Sequence, residues 1–211
     1  MSVWTIVVAA GSGTRFGGLK QFEQLGSRRV VDWGITTALR ASEGVVVVLP
    51  ADATPFASGD VRSVAGGATR SASVRNGLEA VPEDASVILV HDSARPFASL
   101  DLFDRVIDAV RAGADGAIPG VAVTDTVKRV GADGTIIATV ERADLRAVQT
   151  PQAFRSGALR DAYIGGNEAT DDAAVVEAAG GRVVVVQGDP ENRKITTPAD
   201  LEWARQRVAS L

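Results

Sequence analysis

The chain has 211 residues, 45% of them hydrophobic and 23% charged, the composition of an ordinary globular domain with enough length to bury one sizeable core. It has no cysteine and a single histidine, His91, which excludes disulfides, thiolate nucleophiles, Cys-based zinc sites and multi-histidine metal centres. The formal net charge of -4, with no run of Lys or Arg, argues against nucleic acid as a partner.

The opening Met1-Ser2-Val3-Trp4 passes directly into a short apolar run with no charged leader, so a cytoplasmic protein is expected. In chain order, a strand at 5–10 leads into a glycine-rich loop, then come a helix at 30–41, a strand at 45–49, a helix at 71–80, a strand at 87–90, a helix at 100–112 and a strand at 116–123. Residues 125–130 and 135–140 predict two strands joined through Gly131-Ala132-Asp133-Gly134, where Asp-Gly favours a tight turn. A helix at 171–179, a strand at 182–187 and a helix at 198–209 follow. Thr170 before Asp171-Asp172, and Thr197-Pro198 before Asp200-Leu201, supply helix-start signals.

The five main strands are apolar on both faces, which predicts burial on both sides. They are far shorter than the roughly 20 residues of a membrane helix, so no membrane contact is expected. Their alternation with helices predicts crossover units, a mostly parallel sheet and an α/β fold. The hairpin breaks this rhythm, and two readings stand for it: an edge hairpin packed on its own sheet, or an arm that embraces a second subunit.

The first strand runs into Ala9-Ala10-Gly11-Ser12-Gly13-Thr14-Arg15-Phe16-Gly17-Gly18-Leu19-Lys20-Gln21-Phe22. The glycine spacing is Gly-x-Gly-x-x-x-Gly, the next helix begins only near Val30, and the second strand ends Leu49-Pro50 without an acidic residue for a ribose. A dinucleotide site is disfavoured on these grounds, and no Gly-Lys-Ser/Thr completes a P-loop. The loop instead offers backbone N–H groups and two cations, Arg15 and Lys20, a set suited to cradling a triphosphate and neutralising charge during phosphoryl or nucleotidyl transfer. Standing alone, the same residues also describe a surface loop with two solvated cations.

A second segment, His91-Asp92-Ser93-Ala94-Arg95-Pro96-Phe97, follows the strand at 87–90 and therefore lies at a carboxyl end of the sheet, where open α/β folds bind ligands. His91 reads better as a hydrogen-bonded turn histidine than as a catalytic base. Asp92 suits contact with a sugar or a metal-bound phosphate, and Asp92 and Arg95 also suit local capping and pairing.

These two segments, together with Asp125-Thr126-Val127-Lys128, Gln149-Thr150-Pro151-Gln152, Thr170-Asp171-Asp172-Ala173 and Asn192-Arg193-Lys194-Ile195-Thr196-Thr197-Pro198, closely resemble the 2-C-methyl-D-erythritol 4-phosphate cytidylyltransferase family, in the family's order and over nearly the whole chain. The resemblance implies a Rossmann-like nucleotidyltransferase fold: one domain over residues 1–211, a mostly parallel sheet with helices on both faces, and residues 125–148 as a protruding arm that joins a homodimer. It also implies transfer of CMP from CTP to the phosphate of methylerythritol phosphate with release of pyrophosphate. A substrate phosphate is already a nucleophile near neutral pH, so cations rather than a Ser, Cys or His nucleophile should carry the work.

By resemblance, Arg15 and Lys20 stabilise the transition state, while Arg142 and Lys194 position the methylerythritol phosphate. Ala9, Ala10, Gly11, Gly13 and Gly67 match positions that approach the nucleotide, and Ser73 a residue that helps read cytosine. Asp92, Ala94 and Arg95 match the segment near the ribose and the substrate; Thr126 and Thr150 match second-substrate contacts. Mg²⁺ is implied, held chiefly by the triphosphate, with no dedicated protein ligands. Asp171 and Asp172 are read as serving a helix start.

Without the resemblance, Glu141-Arg142-Ala143-Asp144 reads as a solvated charge run. Leu19 stands where many members have Pro, Ala68 where some have an acidic or polar residue, and Ser93 where Ala is common. The rival readings are a ribitol-phosphate cytidylyltransferase and a non-catalytic nucleotide-binding module of the same fold. Ala9-Ala10-Gly11-Ser12 and Thr170-Asp171-Asp172 weigh against the first, and retention of Arg15, Lys20, Arg142 and Lys194 against the second.

Overall fold

A computed structural model describes residues 1–56, 59–166 and 168–210. Strands are β1 Val3–Val8, β2 Gln24–Leu25, β3 Arg28–Arg29, β4 Gly44–Leu49, β5 Val61–Ala65, β6 Val87–Asp92, β7 Gly116–Ala122, β8 Val127–Val130, β9 Ile136–Val140, β10 Arg146–Val148, β11 Gln152–Arg155 and β12 Val183–Gln187. Helices are α1 Val30–Ala41, α2 Arg70–Ala80, α3 Leu100–Arg111, α4 Ser156–Tyr163, α5 Asp172–Ala178 and α6 Pro198–Ala209.

Among the described residues the main sheet has eight strands, in the order β10-β7-β11-β6-β1-β4-β5, with β12 also paired to β7. Pairings of β1 with β4 and β6, β4 with β5, and β12 with β7 are parallel; β10 and β11 run antiparallel to their neighbours. From β1 the chain builds outward to β4 and β5 and then returns to the other side of β1 as β6. The order therefore reverses at β1 and β6, and a crevice at their carboxyl ends follows.

The two-residue period of the central strands splits their side chains between two cores. Val45 and Val47 pack with Val31 and Ile35 of α1 and Leu102, Phe103 and Val106 of α3. Ile6, Val46 and Val48 pack on the other face with Val74 and Leu78 of α2, Leu159 of α4 and Val175 of α5. A third cluster joins Leu201 and Ala204 of α6 to Leu25 and Val30. Among the described residues no helix is long and apolar enough to cross a membrane.

Helices α1 and α6 match their expected bounds, and α6 begins as its signals require: Thr197 caps the Asp200 amide while Asp200 accepts from the Thr197 amide. Four expectations need correction. Strand β12 is not buried on both faces: it pairs only with β7, and Val185 is exposed. The first strand stops at Val8, two residues before the predicted end, because the chain turns there into the glycine loop. His91 and Asp92 belong to β6 itself, extended by the pairing of Asp92 with Val8. The cap of α5 is Asp171 rather than Thr170, its carboxylate accepting from the Ala174 amide at 3.0 Å.

The segment 125–148 contains the expected hairpin, shortened to β8 and β9. The hairpin forms a separate two-stranded sheet and leaves Val130, Ile136 and Ile137 exposed, whereas the end of the segment, Arg146–Val148, joins the main sheet as β10.

Candidate active site

The loop after β1 is shaped by its glycines and closed by one glutamine. Gly13 adopts a φ of 65°, and a side-chain carbon there would lie 1.9 Å from the Gly18 carbonyl oxygen, so only glycine permits this turn. The Gly13 carbonyl accepts from the Phe16 and Gly17 amides at 2.8 and 2.9 Å. Gln21, buried in a short 3₁₀ turn over Lys20–Phe22, donates through Nε2 to the carbonyls of Ala9 at 2.8 Å and Gly11 at 3.1 Å. The end of the loop is thereby tied to its beginning. Phe16 packs into the third apolar cluster, which holds the loop's middle.

A cavity of about 360 Å³ opens at the carboxyl ends of β1, β5 and β6. Its wall includes Ala10, Gly11, Gly13, Gly67, Ser73, Asp92 and Ala94, together with Lys20, Lys194 and Arg70. Seven of the eight expected nucleotide positions thus converge on one space, brought there from three separate stretches of chain. Ala9 does not line it; it is buried, its amide donating to the Val48 carbonyl and its carbonyl accepting from Gln21. Ser73 shapes the wall from behind: its hydroxyl accepts from the Gly67 amide at 3.1 Å and donates to the Thr69 carbonyl at 2.9 Å.

Charge in the cavity is arranged around Asp92. Lys194 Nζ lies 2.6 Å from Asp92 Oδ2, and Arg70 Nη2 lies 3.5 Å from Oδ1. Burial opposes ionisation of Asp92, but the Lys194 and Arg70 cations outweigh it and hold the carboxyl well below the usual carboxylate range. Lys20 is the converse case. Burial, then repulsion from Lys194 and Arg15, lowers its pKa below that of an ordinary lysine. Two lysines, with Arg15 near enough to repel Lys20, therefore face a space whose one lining carboxylate among the described residues is already paired, an arrangement that favours a polyanion.

Other expected residues take other places. Arg15 is exposed and outside the cavity wall, although its charge reaches Lys20. Thr126 and Arg142 lie exposed beside the hairpin, where the Arg142 guanidinium donates to the Thr124 carbonyl, and neither reaches this cavity. Arg95 is outside the wall of this cavity: its guanidinium donates to the carbonyls of Asn192 at 2.8 Å and Val148 at 3.4 Å, which anchors the segment that carries Lys194. Thr150 is buried beside Asp92, its hydroxyl accepting from the Asp92 amide at 2.9 Å and meeting His91 Nδ1 at 3.1 Å.

His91 is fully buried, with Nε2 3.2 Å from the Arg95 carbonyl. Burial pushes its pKa down to about 4, and its neutral ring bridges Thr150 and Arg95, in keeping with a structural histidine. Asp172 does more than start a helix. It is fully buried, accepts from the Tyr163 hydroxyl at 2.6 Å and pairs with Arg70 Nη2 at 2.7 Å.

Sequence reasoning missed Gln21, Arg70 and Asn192. Asn192 donates to the Thr150 carbonyl at 2.9 Å and steadies the Lys194 segment. Arg70 did carry a signal: a cation in the first turn of a helix opposes the dipole and calls for a fixed anionic partner. Gln21 and Asn192 carried none, because their partners are largely backbone carbonyls.

Among the described residues there is no cluster of three or more His, Cys, Asp or Glu side chains able to hold a metal, and Asp92 is the single carboxylate lining the cavity. That donor set fits a divalent cation only if the ligand's own phosphates supply most of the coordination.

Comparison with known proteins follows the same geometry. The solved 2-C-methyl-D-erythritol 4-phosphate cytidylyltransferase from Thermus thermophilus superimposes with a TM-score of 0.86 at 37% identity, covering 99% of this chain and 100% of that one. The enzyme of that name from Rhodococcus jostii is 43% identical over 98% of this chain and 95% of its own length. The bifunctional enzyme IspD/IspF from Solidesulfovibrio magneticus is 45% identical over 99% of this chain, which spans 58% of that relative and a little over half of other bifunctional relatives. The family described as IspD, 2-C-methyl-D-erythritol 4-phosphate cytidylyltransferase, matches residues 3–210. With the glycine loop, the paired Lys194 and Asp92 and the reversed strand order all inside that span, the chain belongs to the IspD family of cytidylyltransferases.

Proposed function

We propose that the chain transfers CMP from CTP to the phosphate of 2-C-methyl-D-erythritol 4-phosphate and releases pyrophosphate. The observation that carries this reading is the convergence of Lys20, Lys194 and the glycine loop on one crevice at the reversal of strand order, in a chain of this family. An oxygen of the acceptor phosphate attacks the α-phosphorus of CTP, a new P–O bond forms, and the bond to the β-phosphate oxygen breaks. The pyrophosphate leaves with its electron pair, and no protein nucleophile is consumed.

The loop amides of residues 11–13 receive the phosphates, and Lys20 with Arg15 stabilises charge that builds around the α-phosphorus. Lys194 leaves Asp92 to orient the acceptor phosphate. Ala10, Gly67 and Ser73 form the pyrimidine end, where a space bounded by Ser73 and the close-packed Gly66 and Gly67 favours a small base. Mg²⁺ bound to the triphosphate would neutralise part of its charge, with Asp92 the nearest protein carboxylate.

The reading extends to a homodimer in which the 125–148 arm brings Thr126 and Arg142 to the partner's cavity, and to a cytoplasmic location. The exposed apolar residues of the hairpin support the first, and the absence of cysteine is in keeping with the second. The test is pyrophosphate release with Mg²⁺, comparing methylerythritol phosphate, ribitol phosphate and no acceptor, and CTP against ATP, GTP and UTP. Selective turnover of CTP with methylerythritol phosphate is expected. Preference for ribitol phosphate would overturn the acceptor, and no turnover by folded protein would overturn the activity.

A further inference from the structure

Arg70 is bound in a way that a surface arginine is not. It opens α2, where the helix dipole disfavours a cation, and its Nη2 bridges two carboxylates from different parts of the fold, Asp172 at 2.7 Å and Asp92 at 3.5 Å. Asp172 is fully buried and is held from its other oxygen by Tyr163 at 2.6 Å. Nη1 of Arg70 is also buried and has no hydrogen-bond partner. An orphaned buried N–H is costly, and a helix start needs no such arrangement, since Thr69 already caps α2.

The result is a chain of alternating charge: Asp172, Arg70, Asp92, Lys194. Its two ends differ. Asp172 is fully buried and holds Arg70 at the cavity wall by the shorter of its two ion pairs, whereas Lys194 is more exposed and has Asp92 as its ion-pair partner. If Lys194 turns toward an incoming anion, Asp92 loses its nearest partner, and a buried carboxylate without one is strongly destabilising.

We propose that Arg70 is a positioning residue that acts through Asp92: it is the standing partner of Asp92, and it allows Lys194 to leave that carboxylate for the acceptor phosphate. This rests on the cytidylyltransferase reading above. Arg95, Lys20 and His91 also face Asp92, but Arg95 is committed to backbone carbonyls, Lys20 faces the triphosphate loop, and His91 is neutral. None of the three replaces Arg70.

The experiment is steady-state pyrophosphate release by the full chain with saturating CTP and Mg²⁺ and varied acceptor, beside direct titration of CTP without acceptor. In Arg70→Met the KM for the acceptor should rise about tenfold or more, with CTP affinity within about threefold of wild type. Arg70→Lys should recover part of the loss. In the Asp92→Asn background the same Arg70 change should have an effect of about twofold or less, since Arg70 acts through that carboxylate. Arg160→Ala is the structural control. Arg160 ties α4 to the Leu78, Val81 and Pro82 carbonyls at the opposite end of α2, so its loss should lower stability and leave the acceptor KM unchanged. If Arg70→Met does not fold, Arg70→Gln with Asp172→Asn removes the buried charges together and is read in the same way.

A folded Arg70 variant with wild-type acceptor KM overturns the proposal, as does an equal loss of CTP affinity or an equal rise in Arg160→Ala. Wild-type protein that is folded but turns over no nucleotide overturns the cytidylyltransferase reading, and this proposal with it.

Discussion

Lys194 Nζ lies 2.6 Å from Asp92 Oδ2, across 102 positions of sequence. The Lys194 segment is held in place at its backbone, by Arg95 on the Asn192 carbonyl and by the Ile195 amide on the Ala94 carbonyl at 2.8 Å. Its position is thus preset while its ammonium group stays at an exposed edge. Lys194→Ala should cut turnover about a hundredfold or more with little change in stability, since Arg70 remains beside the buried Asp92 carboxylate and a charge facing a transferring phosphoryl group contributes much to rate. Turnover within about threefold of wild type would refute the role given to Lys194.

Lys20 is held near two like charges and partly buried, which is why its pKa is depressed. Lys20→Met should therefore lower turnover by about two to three orders of magnitude while leaving the melting temperature equal to or above that of wild type. A melting temperature several degrees below wild type would show that the charge is structural.

Gly13 accepts two loop amides and cannot carry a side chain without displacing the Gly18 carbonyl. Gly13→Ala should weaken CTP binding about tenfold or more, as the loop amides lose their alignment, with far smaller effects on the sheet. Calorimetric titration of CTP reads this directly, and unchanged affinity would separate the loop's shape from nucleotide binding.

His91 is neutral in the fold, with a pKa near 4 against an ordinary value near 6.5. Because the folded pKa is depressed, the unfolded chain takes up this proton first as pH falls, so stability is full above about 6.5 and declines between 6.5 and about 4. From pH 7 to pH 5 the loss should be about 2 kcal/mol. Urea unfolding at the two pH values measures it, and His91→Gln, which cannot titrate, should flatten the difference. An equally steep decline in that variant would assign it to other groups.

If the arm completes the partner's cavity, subunits carrying Arg15→Ala and subunits carrying Arg142→Ala should complement each other. Each homodimer should be nearly inactive, and verified mixed dimers should recover up to about a quarter to a half of wild-type turnover, because one of their two cavities is intact. No recovery would count against shared sites.

Much of this was readable along the chain. The alternation of apolar runs with helical periods was enough for an α/β sheet, since burial on both faces leaves its mark within each short segment. The glycine-rich loop was legible because its glycines and cations are contiguous, and the capping signals at 197–200 act over three residues. Strands β2, β3, β5, β10 and β11 and helix α4 were missed. Each is short, and β11 is held by antiparallel partners contributed by β6 and β7.

Tertiary structure decided which polar residues face the cavity and which brace it. Nothing local in the sequence pairs the Thr150 hydroxyl with the Asp92 amide, or the Arg95 guanidinium with the Asn192 carbonyl. The anions that Arg70 bridges, Asp172 and Asp92, lie 102 and 22 positions away in the sequence. Local sequence determined the elements and the chemistry of the loop, because those depend on propensity and spacing over a few residues. The pairing of charges across 102 positions was set only by the sheet order, because a hydrogen bond or an ion pair depends on distance in space and not on separation along the chain.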